Sequence, residues 1–193
     1  MKTTTQTITG SVTTTTNNLR VLNLILLFAI LAFFTGCGVA PVRHTPKVTA
    51  LAGNKMSDLR ASKPIDVKSG ECSSAEKVIG TVGVGKVIGN LAEWTDVTVE
   101  AVKTNLVSRG ATITTGVPKV LTITMTDAHV GAIPFVGVSK SRIVLTATAP
   151  DGLNSTFEGS SSSMAPLGAV NGAVADAVKK LLMDAAVEEY VRK

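Results

Sequence analysis

Val120-Leu121-Thr122-Ile123-Thr124-Met125-Thr126-Asp127 alternates apolar with hydroxyl-bearing residues over the six positions from Leu121 to Thr126 and then ends on a carboxylate. A period of two puts Leu121, Ile123 and Met125 on one face of a strand and the threonines on the other, so this strand belongs to a sheet covered on one side. Ser141 to Ala149 repeats the pattern, with Ile143, Leu145 and Ala147 opposite Arg142, Thr146 and Thr148. Asp151-Gly152 then suits a hairpin turn. Leu153 to Gly159 returns as a third strand, with Leu153, Ser155 and Phe157 on one face. The three strands make a meander.

On both sides of the meander the period lengthens to that of helices. Leu91 to Ser108 places Trp94, Val97, Ala101, Val102 and Leu106 near helical spacing and stops at Arg109-Gly110, a basic residue followed by a C-cap glycine. Asn171 to Tyr190 carries an apolar stripe of Val174, Ala177, Val178, Leu181, Leu182 and Ala185. Further upstream, Lys63 to Lys68 reads as a first strand with Ile65 and Val67 on one face. Val78 to Ile88 is apolar but interrupted by Gly80, Gly83 and Gly85, which suits a turn or bulge in close packing. The order predicts an α+β fold, a two-layer sandwich with one mixed sheet of about four strands and two helices on one face (β-α-β-β-β-α). Residues 63–193 are enough for a single domain with one core.

Residues 21–34 form an apolar run broken by Asn23, the length of a signal-peptide core. The run leads into Thr35-Gly36-Cys37, with Phe34 where a leucine is usual. Apolar core, small residues and cysteine in this order resemble the lipobox of bacterial lipoproteins. The resemblance implies that residues 1–36 are a signal peptide and that Cys37 is the lipidation site, its thiol diacylated and its amine the new N-terminus. Gly38, where retention at the inner membrane typically wants Asp, implies an anchor in the outer membrane facing the periplasm rather than in the inner membrane. Residues 37–62 contain Pro41, Pro46 and scattered basic residues without apolar periodicity, the composition of a flexible tether.

The net charge of +5 includes Lys2 and Arg20 of the leader, so the processed chain carries about +3. No run or stripe of Lys and Arg with interleaved aromatics occurs, and nucleic-acid binding is not expected. Two cysteines, one claimed by lipid, cannot build a disulfide framework. His44 and His129 stand apart from Cys72, so neither a metal site nor a cofactor is expected. Gly80 to Lys86 follows the spacing of a P-loop, but Val87 stands where Ser or Thr must hold magnesium. The run Ser160 to Ser163 reads as a loop without a histidine to activate it, and Asp127 with His129 as a polar pair at a strand end that shares one face.

If the first helix is a right-handed crossover, the first strand and Val120–Asp127 run parallel. The connections Gly80–Asn90, His129–Lys140 and Ser160–Asn171 then converge at one end of the sheet. Ile133, Phe135, Val136, Met164 and Leu167 make these loops unusually apolar, which suits a contact surface. The alternative is that they fold over the sheet edge as extra core.

The stretches "NLVSRGATIT", "VLTITMTDA", "IVLTATAPDG" and "AVADAVKKLL" resemble small periplasmic lipoproteins of the YajG type in their order of helix, strand, hairpin and Ala-rich helix. The resemblance implies a shape and an address in the cell envelope, and no catalytic residue. The expected function is therefore a non-catalytic, membrane-anchored binding or assembly accessory in the periplasm, with an envelope protein or a lipid-like or glycan molecule as partner. The alternative is an envelope enzyme, hydrolase-like, whose site carries no familiar motif.

Overall fold

The computed structural model describes residues 40–48, 58–83, 85–133 and 136–193. These form a mixed α+β fold with one sheet of seven strands and three helices. The elements are β1 (Val42–Arg43), β2 (Asp66–Ser69), β3 (Glu76–Val82), β4 (Gly85–Asn90), α1 (Leu91–Ser108), β5 (Val120–Ile133), β6 (Val138–Thr148), β7 (Asn154–Ser163), α2 (Pro166–Met183) and α3 (Ala185–Arg192). The sheet runs β1-β4-β3-β5-β6-β7, and β2 pairs with β5. The pairs β1–β4, β2–β5 and β3–β5 are parallel and the rest antiparallel. The expected four strands and two helices are thus too few.

Two of the added strands come from the glycine-punctuated stretch, which is a hairpin. Glycine hides strand periodicity there for a packing reason: a Cβ on Gly80 would lie 1.7 Å from the Val130 carbonyl oxygen. Only a residue without a side chain lets β3 approach β5 at that point. The third helix arises because the long C-terminal helix breaks at Asp184. That residue turns to an extended ψ of 129°, and its carboxylate accepts from Ala186 N at 3.1 Å and Val187 N at 3.0 Å. It caps α3 as an N-cap should, and α3 turns so that Val187, Tyr190 and Val191 reach the core.

The boundary at residue 63 also requires correction. Ala40–Val48, read as tether, is docked on the domain. Val42 and Arg43 pair with Val87 and Ile88 on the outer edge of β4. Trp94, fully buried at the start of α1, needs an acceptor for its indole N–H and finds the His44 carbonyl at 2.8 Å. Asn171 Oδ1 accepts from Lys47 N and lies against His44 Nε2, both at 3.0 Å. Leu59 is likewise a core residue.

Helix α1 has the predicted limits. Asn90 caps it by accepting from Ala92 N and Glu93 N, and Ala111 N closes its other end on Leu106 O at 3.0 Å. Its β-branched Thr95 and Thr98 are buried because their hydroxyls return to the carbonyls of Leu91 and Trp94. Helices α1 and α2 touch one another and pack against β5, and α2 covers β6 and β7 as well.

Asp66, buried at the start of β2, accepts from Gly116 N at 2.9 Å and meets Lys68 Nζ at 3.2 Å. The Gly116 hydrogen bond, helped by Lys68 and opposed by burial, holds its carboxyl below the usual carboxylate range. A depressed folded value contributes stability above the unfolded pKa of about 3.9, lost as pH falls through the folded value. The stability advantage of the parent over Asp66→Asn should therefore be full at neutral pH and shrink below about pH 4. Denaturant melts at several pH values measure it; a pH-independent difference would show that Asp66 is not held as a carboxylate.

Candidate functional site

A single bulge decides what the open face of the sheet presents. Strict alternation after Met125 would drive Asp127 and His129 into the core. Instead the β5–β6 register shifts between Met125 and Asp127, so Ala128 and Val130 become the buried residues. The bulge sits where β5 lacks a strand neighbour on one side, since β2 pairs only as far as Ile123 and β3 only from Val130. The Met125 N–H on this stretch is taken by Thr95 Oγ1 of α1 at 3.0 Å. Asp127 and His129 therefore share the open face.

That face is a ladder of mostly polar side chains. Thr124, Thr146 and Thr156 are cross-strand neighbours, then Asp127, Val144 and Glu158, then His129, Arg142 and Ser160. The Arg142 guanidinium lies 2.8 Å from Glu158 and 3.6 Å from Asp127. Its hydrogen bond to Glu158 raises the arginine pKa and lowers that of the glutamate. Both partners are about half exposed, so the pair orients the guanidinium more than it stabilises the fold.

Between β3 and β5 lies an open groove of about 850 Å³, lined among others by Lys77, Ile79, Asp127, His129 and Arg142. It exists because the two strands pair only at Gly80–Val130 and Thr81–Gly131, and Ile79 is displaced by a bulge. Such a seam can hold a polar or anionic group by hydrogen bonds from Lys77, His129 and Arg142. Arg142 was legible as the polar phase of its strand; Lys77 carried no signal, because its strand was hidden by glycines.

The expected contact residues separate. Ile133, Val136 and Met164 are 37%, 63% and 85% exposed. Ile133 pairs with Val138, and Ser139 with Ser163, so Val136 and Met164 lie at the same end of the sheet. The β3–β4 turn at Gly83 lies at the same end, because β3 runs parallel to β5. Leu167 behaves differently: it is packed against the core from the first turn of α2. Phe135 and Cys37 lie outside the described residues.

Gly85 and Lys86 pair with Val82 and Thr81 in a hairpin, whereas a P-loop leads from a strand into a helix. Ser160–Ser163, expected as a loop, belongs to β7, whose N–H at Ser160 is held by Asp176 at 3.0 Å. Cys72 is half-buried, 3.5 Å from Thr95 Oγ1. Among the described residues no group of three or more His, Cys, Asp or Glu is placed to hold a metal, and no helix is long and apolar enough to cross a membrane. No protein-family model matches the sequence, and no curated protein matches it closely enough to be counted a relative.

Proposed function

We propose that this chain is a lipoprotein of the bacterial cell envelope, anchored through Cys37 to the outer membrane and facing the periplasm. Its domain acts without catalysis, as a binding or assembly accessory for an envelope protein or a lipid-like or glycan molecule. The observation that carries the reading is the apolar rim: Ile133, Val136 and Met164 stand exposed at the same end of the sheet. Loops at a sheet end are ordinarily polar, and clustered exposed apolar side chains mark contact surfaces. The lipobox-like sequence before Cys37 supports the anchor.

The two parts are tested separately. Cys37→Ala should lose all label from a clickable fatty acid fed to the cells, because the thiol is the acyl acceptor; equal labelling of variant and parent would remove the anchor from the proposal. For the rim, a photoreactive residue at position 136 or 164 should form adducts with an envelope component in intact cells. One at Asn154, at the opposite end of the sheet, should form few. Equal adduct yields from the two ends would remove the rim.

A further inference from the structure

The path of the chain into the domain says what the rim rests on. Strand β1 runs parallel to β4, with Val42 beside Val87. Val87 lies beside Gly80, Gly80 beside Val130, and Val130 beside Ser141. The chain therefore reaches β1 from the end of the sheet that carries the β3–β4 turn and the apolar rim. Two residues, Gly38 and Val39, separate Cys37 from Ala40, and the three residue steps reach about 10 Å even when fully extended. Beyond Arg43 the strap is held to the helices by the Trp94 indole on His44 O and by Asn171 on Lys47 N. It cannot lengthen the tether without leaving the core.

Composition matches that position. Residues 80–88, 129–141 and 159–172 contain no Asp or Glu, and the described residues among them lie toward this end. They do contain Lys86 and Lys140, both exposed. Apolar side chains at the tip with lysines just behind them are what the boundary between acyl chains and anionic headgroups takes up.

We infer that the rim is seated on the lipid bilayer itself, with Val136 and Met164 at the acyl boundary and Lys86 and Lys140 among anionic headgroups. This rests on the lipid anchor at Cys37. A lipid-linked domain held within about 10 Å of the surface samples it at high effective concentration, so even a small apolar tip stays engaged. The strands then stand on the membrane by one end, and the Asp151-Gly152 turn points away from it. The open face with the Arg142 groove remains accessible from the side.

The test uses the mature lipidated chain, extracted from membranes and placed in vesicles of phosphatidylethanolamine and phosphatidylglycerol. In a Cys72→Ser background, a fluorophore is attached at Val136→Cys, Met164→Cys or Asn154→Cys. Quenching by nitroxide-bearing lipids should be several-fold stronger at 136 and 164 than at 154. Lys86→Glu combined with Lys140→Glu should reduce it. The mass of the N-terminal peptide reports acylation on the same samples. Equal quenching at both ends of an acylated chain overturns the seating and leaves the anchor standing; an unacylated Cys37 overturns both. Unchanged quenching in the double lysine variant overturns the headgroup contact. Protein rather than lipid adducts from a photoreactive residue at 164 in intact cells overturn the assignment of the rim to the bilayer.

Discussion

Leu181→Asp should cost the domain about 4 kcal/mol or more and leave much of it unfolded at ordinary temperature, because it places a carboxylate without a partner in the core. Leu181 is fully buried in the last turn of α2, within the core cluster that spans the sheet and all three helices. Lys179→Asp, two residues earlier on the exposed side, should stay within about 0.5 kcal/mol of the parent. Lys180 is a poorer control than its exposure suggests. Its ammonium donates to Glu158 O at 2.7 Å and pairs with Asp176 at 2.9 Å, so Lys180→Asp should lose about 1 kcal/mol by uncapping the outer edge of β7. Urea melts of the three variants read the order directly. Equal midpoints for Leu181→Asp and Lys179→Asp would mean that the face assigned to α2 is wrong.

Gly159→Val should be nearly as damaging, for a steric reason. A Cβ at 159 would stand 2.1 Å from the Ala173 carbonyl oxygen and 2.5 Å from the Ala177 nitrogen, so it meets helix backbone that cannot rotate away. Either α2 lifts from β7 or the strand bends, at roughly 3 kcal/mol in overpacking and lost contacts. Gly131→Ala on the open face is the matching control. Its Cβ would come no closer than 3.4 Å, to the His129 ring, and the change should fall within about 1 kcal/mol of the parent. Thermal melts that place Gly159→Val beside Gly131→Ala would show that α2 and β7 are not in close contact.

The strap shows why part of the molecule escaped a reading of periodicity. Ala40–Val48 has neither the spacing of two nor that of 3.6, and its prolines suggest a free chain. Its position comes from partners elsewhere: an open edge on β4, the indole of Trp94 and the amide of Asn171. Each of those needs is created by the fold. The same holds for the rim. Met164 is free at the tip, whereas Leu167 is drawn into the core because α2 begins at Pro166, five residues before the sequence pattern suggested.

What the sequence determined by itself is the α+β class, the meander β5–β7, the limits of α1 and the apolar face of α2. In each of these a burial pattern repeats often enough along the chain to specify its own geometry. Tertiary structure alone decided the β3–β4 hairpin, the bulge at Asp127, the break at Asp184 and the docking of the strap. Each satisfies a contact distant in the chain: a carbonyl above Gly80, a missing strand beside Met125, a core that α3 must turn to reach, an indole that needs an acceptor. Local propensity holds no record of such distant partners. The groove and the grouping of Ile133, Val136 and Met164 therefore became visible only once the strands were in register.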